Sequence, residues 1–195
     1  MILGEECGLE NRSKKGDCEL IVDISRIKAL SKEMEDENWK FRSYLKCSNM
    51  ASEEIDRIVH EVYDEISSRI DCRTCGNCCR EVQPLLDDED VERLSEGLGI
   101  STARFKAEYL IEDEASGKFV FKEKPCPFLS GNLCLYYDLR PKDCVSYPHL
   151  HKDGFVFRLI DVIHNCSICP IVFNVYEQIK ELMWKSTKEN LSKRA

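Results

Sequence analysis

The sequence has no apolar run approaching the roughly 20 residues that a membrane-spanning helix needs, so no membrane span is expected. Its first residues, MILGEECGLENRSKKGD, hold Glu5, Glu6 and Glu10 and no apolar stretch, so no secretory leader is expected either. An excess of basic charge is also missing. The formal net charge is −8, with −5 on residues 1–70, −5 on residues 71–100 and only +2 on residues 166–195. A nucleic-acid partner wants a basic face, and none is expected here. No HExxH, phosphate-binding glycine loop, Ser/His/Asp order or paired-carboxylate signature is present, and no internal repeat. The acidic run Asp87–Asp90 lacks the alternation of a calcium loop and reads instead as the opening of a helix.

What the 195-residue chain does have is cysteine, 12 in all. With 43 % hydrophobic and 33 % charged residues it has the balance of a globular protein. A chain of this size can bury a sufficient core without covalent or metal staples, so the cysteines need another explanation. Without an export leader the expected compartment is the cytoplasm, where thiols stay free or bind metal and a disulfide framework is disfavoured.

The pattern predicts an α+β fold, mainly helical. It is a compact single cysteine-cluster domain with a short β-hairpin, over residues 51–190, preceded by a polar, helical N-terminal extension over residues 1–50. Residues 19–47 read as an irregular helix whose aromatic group, Trp39, Phe41 and Tyr44, packs on the main core. The clearest helix spans 53–70. Ser52 is its expected cap, and Ile55, Ile58, Val59, Val62, Ile66 and Ile70 form one apolar stripe. Helices are expected at 87–97 and 102–111, the first stopped by Gly97 and Gly99 and the second capped by Ser101. A short strand is expected at 119–121 and a hairpin at 126–136 around Ser130-Gly131-Asn132. A short helix follows Pro141. Residues 154–163, GFVFRLIDVI, read as a strand, and 170–189 as the last helix.

Nine of the cysteines are candidate metal ligands: Cys72, Cys75, Cys78, Cys79, Cys126, Cys134, Cys144, Cys166 and Cys169. The first four form C-x2-C-x2-C-C, and cysteines three apart in a tight turn can aim their sulfurs at one centre, with Gly76 giving the turn its freedom. Cys166 and Cys169 form a second C-x2-C that ends in Cys-Pro at a helix start, where backbone amides stabilise thiolate charge. Thiolates select soft or borderline metals. Zinc takes four ligands from two such pairs. Iron–sulfur loops use C-x2-C-x2-C with a distant fourth cysteine, often before proline. The expected cofactor is therefore an iron–sulfur cluster, with 4Fe-4S favoured, or zinc. Nine sulfurs exceed one four-ligand site, leaving room for two sites or for one site plus structural thiols. A dithiol redox pair would leave seven of them idle. Cys7, Cys18 and Cys47 stand apart.

Arg73, Arg80 and Arg140 lie close to cysteines. They either offset thiolate charge or pair with Asp71, Glu81 or Asp138 at the surface. His149, His151 and His164 could complete a mixed site, although surface histidines are commoner. His60 reads as a packed histidine.

The segments RTCGNCCR at 73–80, PCPFLSGNLCLYYDLRPKDCVSYP at 125–148 and CSICP at 166–170 resemble the CxxCxxCC cysteine-cluster family, also called the YkgJ family. The resemblance covers about residues 68–170 and implies a zinc- or iron-chelating domain with the nine cysteines above as its ligands. It does not say which four share a metal. That family includes the cysteine-rich part of flagellin lysine-N-methylases, so the resemblance also implies methyl transfer to protein lysines as an alternative to electron transfer or metal handling. A zinc-built interaction module is a third. Each implies a protein partner or a place in a larger enzyme complex.

Overall fold

The computed structural model describes residues 19–185. Two helices, α1 (Ile24–Glu33) and α2 (Glu35–Cys47), replace the irregular first helix, with the break at Met34. The Asp23 carboxylate caps α1 by accepting the Arg26 N–H at 2.7 Å. The long helix α3 (Ser52–Ser67) follows. It begins one residue earlier than its sequence suggests. Ser52 is already helical, and Ala51 stands at the cap position without a side-chain bond. Its apolar stripe is as expected: Ile55, Val59, Val62 and Ile66 are buried, each burial stabilising the fold by about 1.5–3 kcal/mol.

Next come a 3-10 turn at Cys72–Thr74, the short helix α4 (Asn77–Glu81), α5 (Asp88–Leu98) and α6 (Thr102–Tyr109). The acidic run does open α5. Asp87 and Asp90 form a reciprocal capping box, while Gly99 ends the helix in the left-handed region. The strands β1 (Leu110–Asp113) and β2 (Lys118–Phe121) pair antiparallel, as do β3 (Leu129–Ser130) and β4 (Leu133–Cys134). A 3-10 turn at Tyr137–Leu139 leads into α7 (Lys142–Ser146). Gly97 lets α5 lie against that turn, since a Cβ there would fall 2.0 Å from a Leu139 methyl.

Residues 154–163 are not a strand. They form a 3-10 turn at Phe155–Arg158 and then α8 (Leu159–Cys166). Both oxygens of the buried Asp56 carboxylate receive backbone N–H groups, Gly154 at 2.7 Å and Phe155 at 2.9 Å. This long-range cap starts a helical path that β-rich composition argues against. The burial confirms it: Phe155, Leu159, Val162 and Cys166 are buried at helical spacing, while Phe157 and Ile160 are exposed. Asp56→Ala strands two amide donors and is expected to destabilise the protein by about 1–3 kcal/mol in urea unfolding. The helix α9 (Pro170–Lys180) then passes into a π turn at Glu181–Lys185. The rest of the expected last helix lies outside the described residues.

Two apolar clusters hold the elements together. One joins α2, α3, α8 and α9 through Phe41, Val59, Leu159, Val172 and Tyr176. The other joins α5, α6, the β1–β2 hairpin and Phe128. Among the described residues no helix is long and apolar enough to cross a membrane. The fold class is as expected, mainly helical α+β with two small antiparallel hairpins.

Candidate metal centre

The cysteine loop runs directly off the C-terminal end of α3, between the two apolar clusters. Gly76 makes its turn at φ 62°, and a Cβ there would meet the Asn132 carbonyl oxygen at 2.8 Å. Gly76→Ala is thus expected to cost about 1–3 kcal/mol in chemical denaturation and to weaken metal retention. Three tethers then position the sulfurs. The buried Asn77 side chain donates to the Ile168 carbonyl at 2.7 Å, pulling the loop toward Cys169. Arg80 donates to the Gly131 carbonyl at 2.6 Å and to Asn132 Oδ1 at 2.7 Å, joining the loop to the β3–β4 turn. The Cys126 N–H donates to the Cys79 carbonyl at 2.8 Å. Sequence reasoning missed Asn77 as a tether.

The sulfurs surround two adjoining cavities. The smaller and more apolar one, here called inner, of about 70 Å³, has Cys78, Cys79, Cys126, Cys134 and Cys144 on its walls, beside Leu94, Phe121 and Phe128 of the second apolar cluster. The outer one, of about 290 Å³, is walled by Cys72, Cys75 and Cys169 and shares Cys78, Cys79, Cys134 and Cys144 with the inner one. Tyr147 and Arg140 border both. Cys166 borders neither. It faces the first apolar cluster at 1 % exposure, and its carbonyl accepts the Ser31 hydroxyl at 3.0 Å. Cys47 is exposed and remote in sequence, and Cys7 and Cys18 lie outside the described residues.

Among the described residues, no three Cys, His, Asp or Glu side chains already stand at ligating geometry around one point. The cysteines nonetheless line common cavity walls. The histidines stay apart from those walls. His149 Nδ1 lies 3.0 Å from Ser146 Oγ, and its Nε2 lies 3.4 Å from the Asp143 carboxylate. His151 Nε2 is 3.3 Å from the same hydroxyl. Of the arginines, Arg73 takes the surface option, pairing with Asp71 at 2.9 Å.

The donor set fits a soft cation. Burial pushes the Cys126 thiol up to about 11 and the Cys169 thiol up to about 12, and it raises Cys134, Cys144 and Cys166 as well. Neighbouring sulfurs add to the rise at Cys126, Cys134, Cys144 and Cys169, since thiolates repel one another without a cation between them. Backbone amides work the other way: Phe128 N–H at Cys126, Tyr136 N–H at Cys134, and the Ile171 and Val172 N–H groups at Cys169. Those last two are the free amides at the N-terminus of α9, as the Cys-Pro pattern suggests. Cys79 is already lowered to about 7, first by the Cys78 thiol donating to it and then by the Arg140 and Arg80 guanidinium groups. Zinc added to metal-free protein at pH 7 is therefore expected to release protons and to bind more tightly as pH rises. Calorimetry in buffers of different ionisation enthalpy measures both effects.

Clustered thiols on cavity walls, with amides and guanidinium groups turned toward them, define a cysteine-rich metal-chelating domain. The family described as "CxxCxxCC: Putative zinc- or iron-chelating domain" matches residues 71–187, and the chain belongs to it. No curated protein and no solved structure matches the chain.

Proposed function

We propose that the chain holds an iron–sulfur cluster, with 4Fe-4S favoured, on these cysteines and serves electron transfer as the metal-bearing component of a larger enzyme. The observation that carries the reading is the meeting of the Cys72–Cys79 loop with Cys169-Pro170 on one cavity wall, where two helix amides already serve the Cys169 sulfur. This is the C-x2-C-x2-C…C-P donor set of iron–sulfur proteins, drawn together by Asn77. When bound, such a cluster supplies one-electron chemistry. The chain's own residues set its surroundings. Amide donors to sulfur and the Arg80 and Arg140 guanidinium groups favour the more negative, reduced state, while the apolar walls limit water access.

A protein partner fits the outer rim. Leu133, Leu135 and Val145, which flank Cys134 and Cys144, are 59 %, 64 % and 61 % exposed. The reading places the protein in the cytoplasm, where reducing conditions keep thiolates available. Anaerobic purification with visible spectroscopy and sulfide analysis tests it. Brown protein with acid-labile sulfide is the expected result. Colourless protein with stoichiometric zinc and no sulfide would replace it with a structural zinc site.

A further inference from the structure

We infer that the eight cavity sulfurs form two separate four-thiolate centres for thiophilic metals. One comprises Cys72, Cys75, Cys78 and Cys169, the other Cys79, Cys126, Cys134 and Cys144, and they adjoin at the Cys78–Cys79 peptide bond. The inference rests on the metal-binding reading and adds a second, inner site to it.

The two cavities supply the first division. Cys72, Cys75 and Cys169 border only the outer one and Cys126 only the inner. The four shared cysteines are assigned by their tethers. Cys79 goes with Cys126 because the two are joined by a backbone hydrogen bond of 2.8 Å. Cys134 goes with Cys126 because Leu129, its partner in the β3–β4 pair, donates its N–H to the Cys126 carbonyl at 3.1 Å. Cys144 sits on α7, which Asp143 fastens to the Leu85 N–H at 3.1 Å, next to the Pro84 wall of the inner cavity. Cys78 and Cys79 are consecutive on α4 and hydrogen-bonded through their sulfurs, so the two centres adjoin there. Asn77, just before Cys78, donates to the Ile168 carbonyl beside Cys169 and so ties Cys78 to the outer set.

Each set has four sulfurs, the number a closed tetrahedral thiolate site takes. Arg140 borders both cavities and offsets charge at their junction. Cys166 belongs to neither set.

The test uses full-length wild type with Cys169→Ser, Cys126→Ser, the double variant and a Cys166→Ala control. Metal per folded chain is measured after anaerobic purification, and circular dichroism scores the fold. Cys169→Ser and Cys126→Ser are each expected to lose one centre's metal and keep the other's. The double variant should lose nearly all, and Cys166→Ala should keep all. A second readout covers variants that fail to fold: cobalt(II) titration of metal-free wild type, expected to saturate at two equivalents, both with the absorption of four-sulfur tetrahedral cobalt. Complete metal loss in either folded single variant, or saturation at one equivalent, overturns the two-centre arrangement and leaves the metal-binding reading standing. Wild type that takes up no thiolate-bound metal overturns both.

Discussion

Stripping the metal with a chelator is expected to lower the thermal midpoint by about 8–16 °C. A metal that binds only the folded chain, at a free concentration a thousand times its dissociation constant, contributes about 4 kcal/mol. For 150–250 residues each kcal/mol moves the midpoint by about 2–4 °C. The loss falls on one part of the molecule. The cysteine walls lie between two apolar clusters, and the cluster of α2, α3, α8 and α9 is closed by hydrocarbon contacts. Helical content should therefore survive chelation at room temperature, while hydrogen exchange quickens over residues 72–80 and 126–147. An unchanged midpoint after verified metal removal would show that the sulfurs do not contribute to folding through a metal.

Phe128→Ala is expected to produce the largest loss of any single apolar substitution beside the site, about 3–5 kcal/mol in urea unfolding. Phe128 is 6 % exposed and packs on four rings. Its ring centroid lies 5.1 Å from that of Tyr136, 5.4 Å from Tyr109, 5.5 Å from Phe121 and 6.4 Å from Phe105. Truncation opens a void that four rigid side chains cannot readily fill. The same residue walls the inner cavity and its N–H serves the Cys126 sulfur, so metal content should fall together with stability. A loss below about 1 kcal/mol would mean that the second cluster is loosely packed.

Much of this was readable in the sequence, because the signals were local. The stripe of α3, the capping run at Asp87, the hairpin around Gly131 and the cysteine spacings all act over a few residues, and all appear in the structure, whereas the β1–β2 hairpin, part of it expected as helix, did not show in the sequence. What was not readable depends on distant partners. Residues 154–163 have strand-like composition, but Asp56, 98 positions from Gly154, caps them into a helical path. The approach of Cys169 to the first loop depends on one amide bond spanning 91 positions, from Asn77 to Ile168, which leaves no periodic trace. The C-x2-C at Cys166 and Cys169 reads as a pair, yet the structure divides it. Cys166 continues the buried stripe of Leu159 and Val162 on α8, whereas Cys169 reaches the outer cavity at the head of α9. The 3.6-residue period through Leu159, Val162 and Cys166 was the available signal, and the paired-cysteine pattern overshadowed it.

X-ray absorption at the metal edge of natively purified protein tests the convergence of the cysteines most directly. The account predicts bound zinc or iron in stoichiometric amount, with a first coordination shell of sulfur alone and nearest distances of about 2.3 Å for zinc. A first shell of nitrogen and oxygen, or natively purified protein free of zinc and iron, would contradict it.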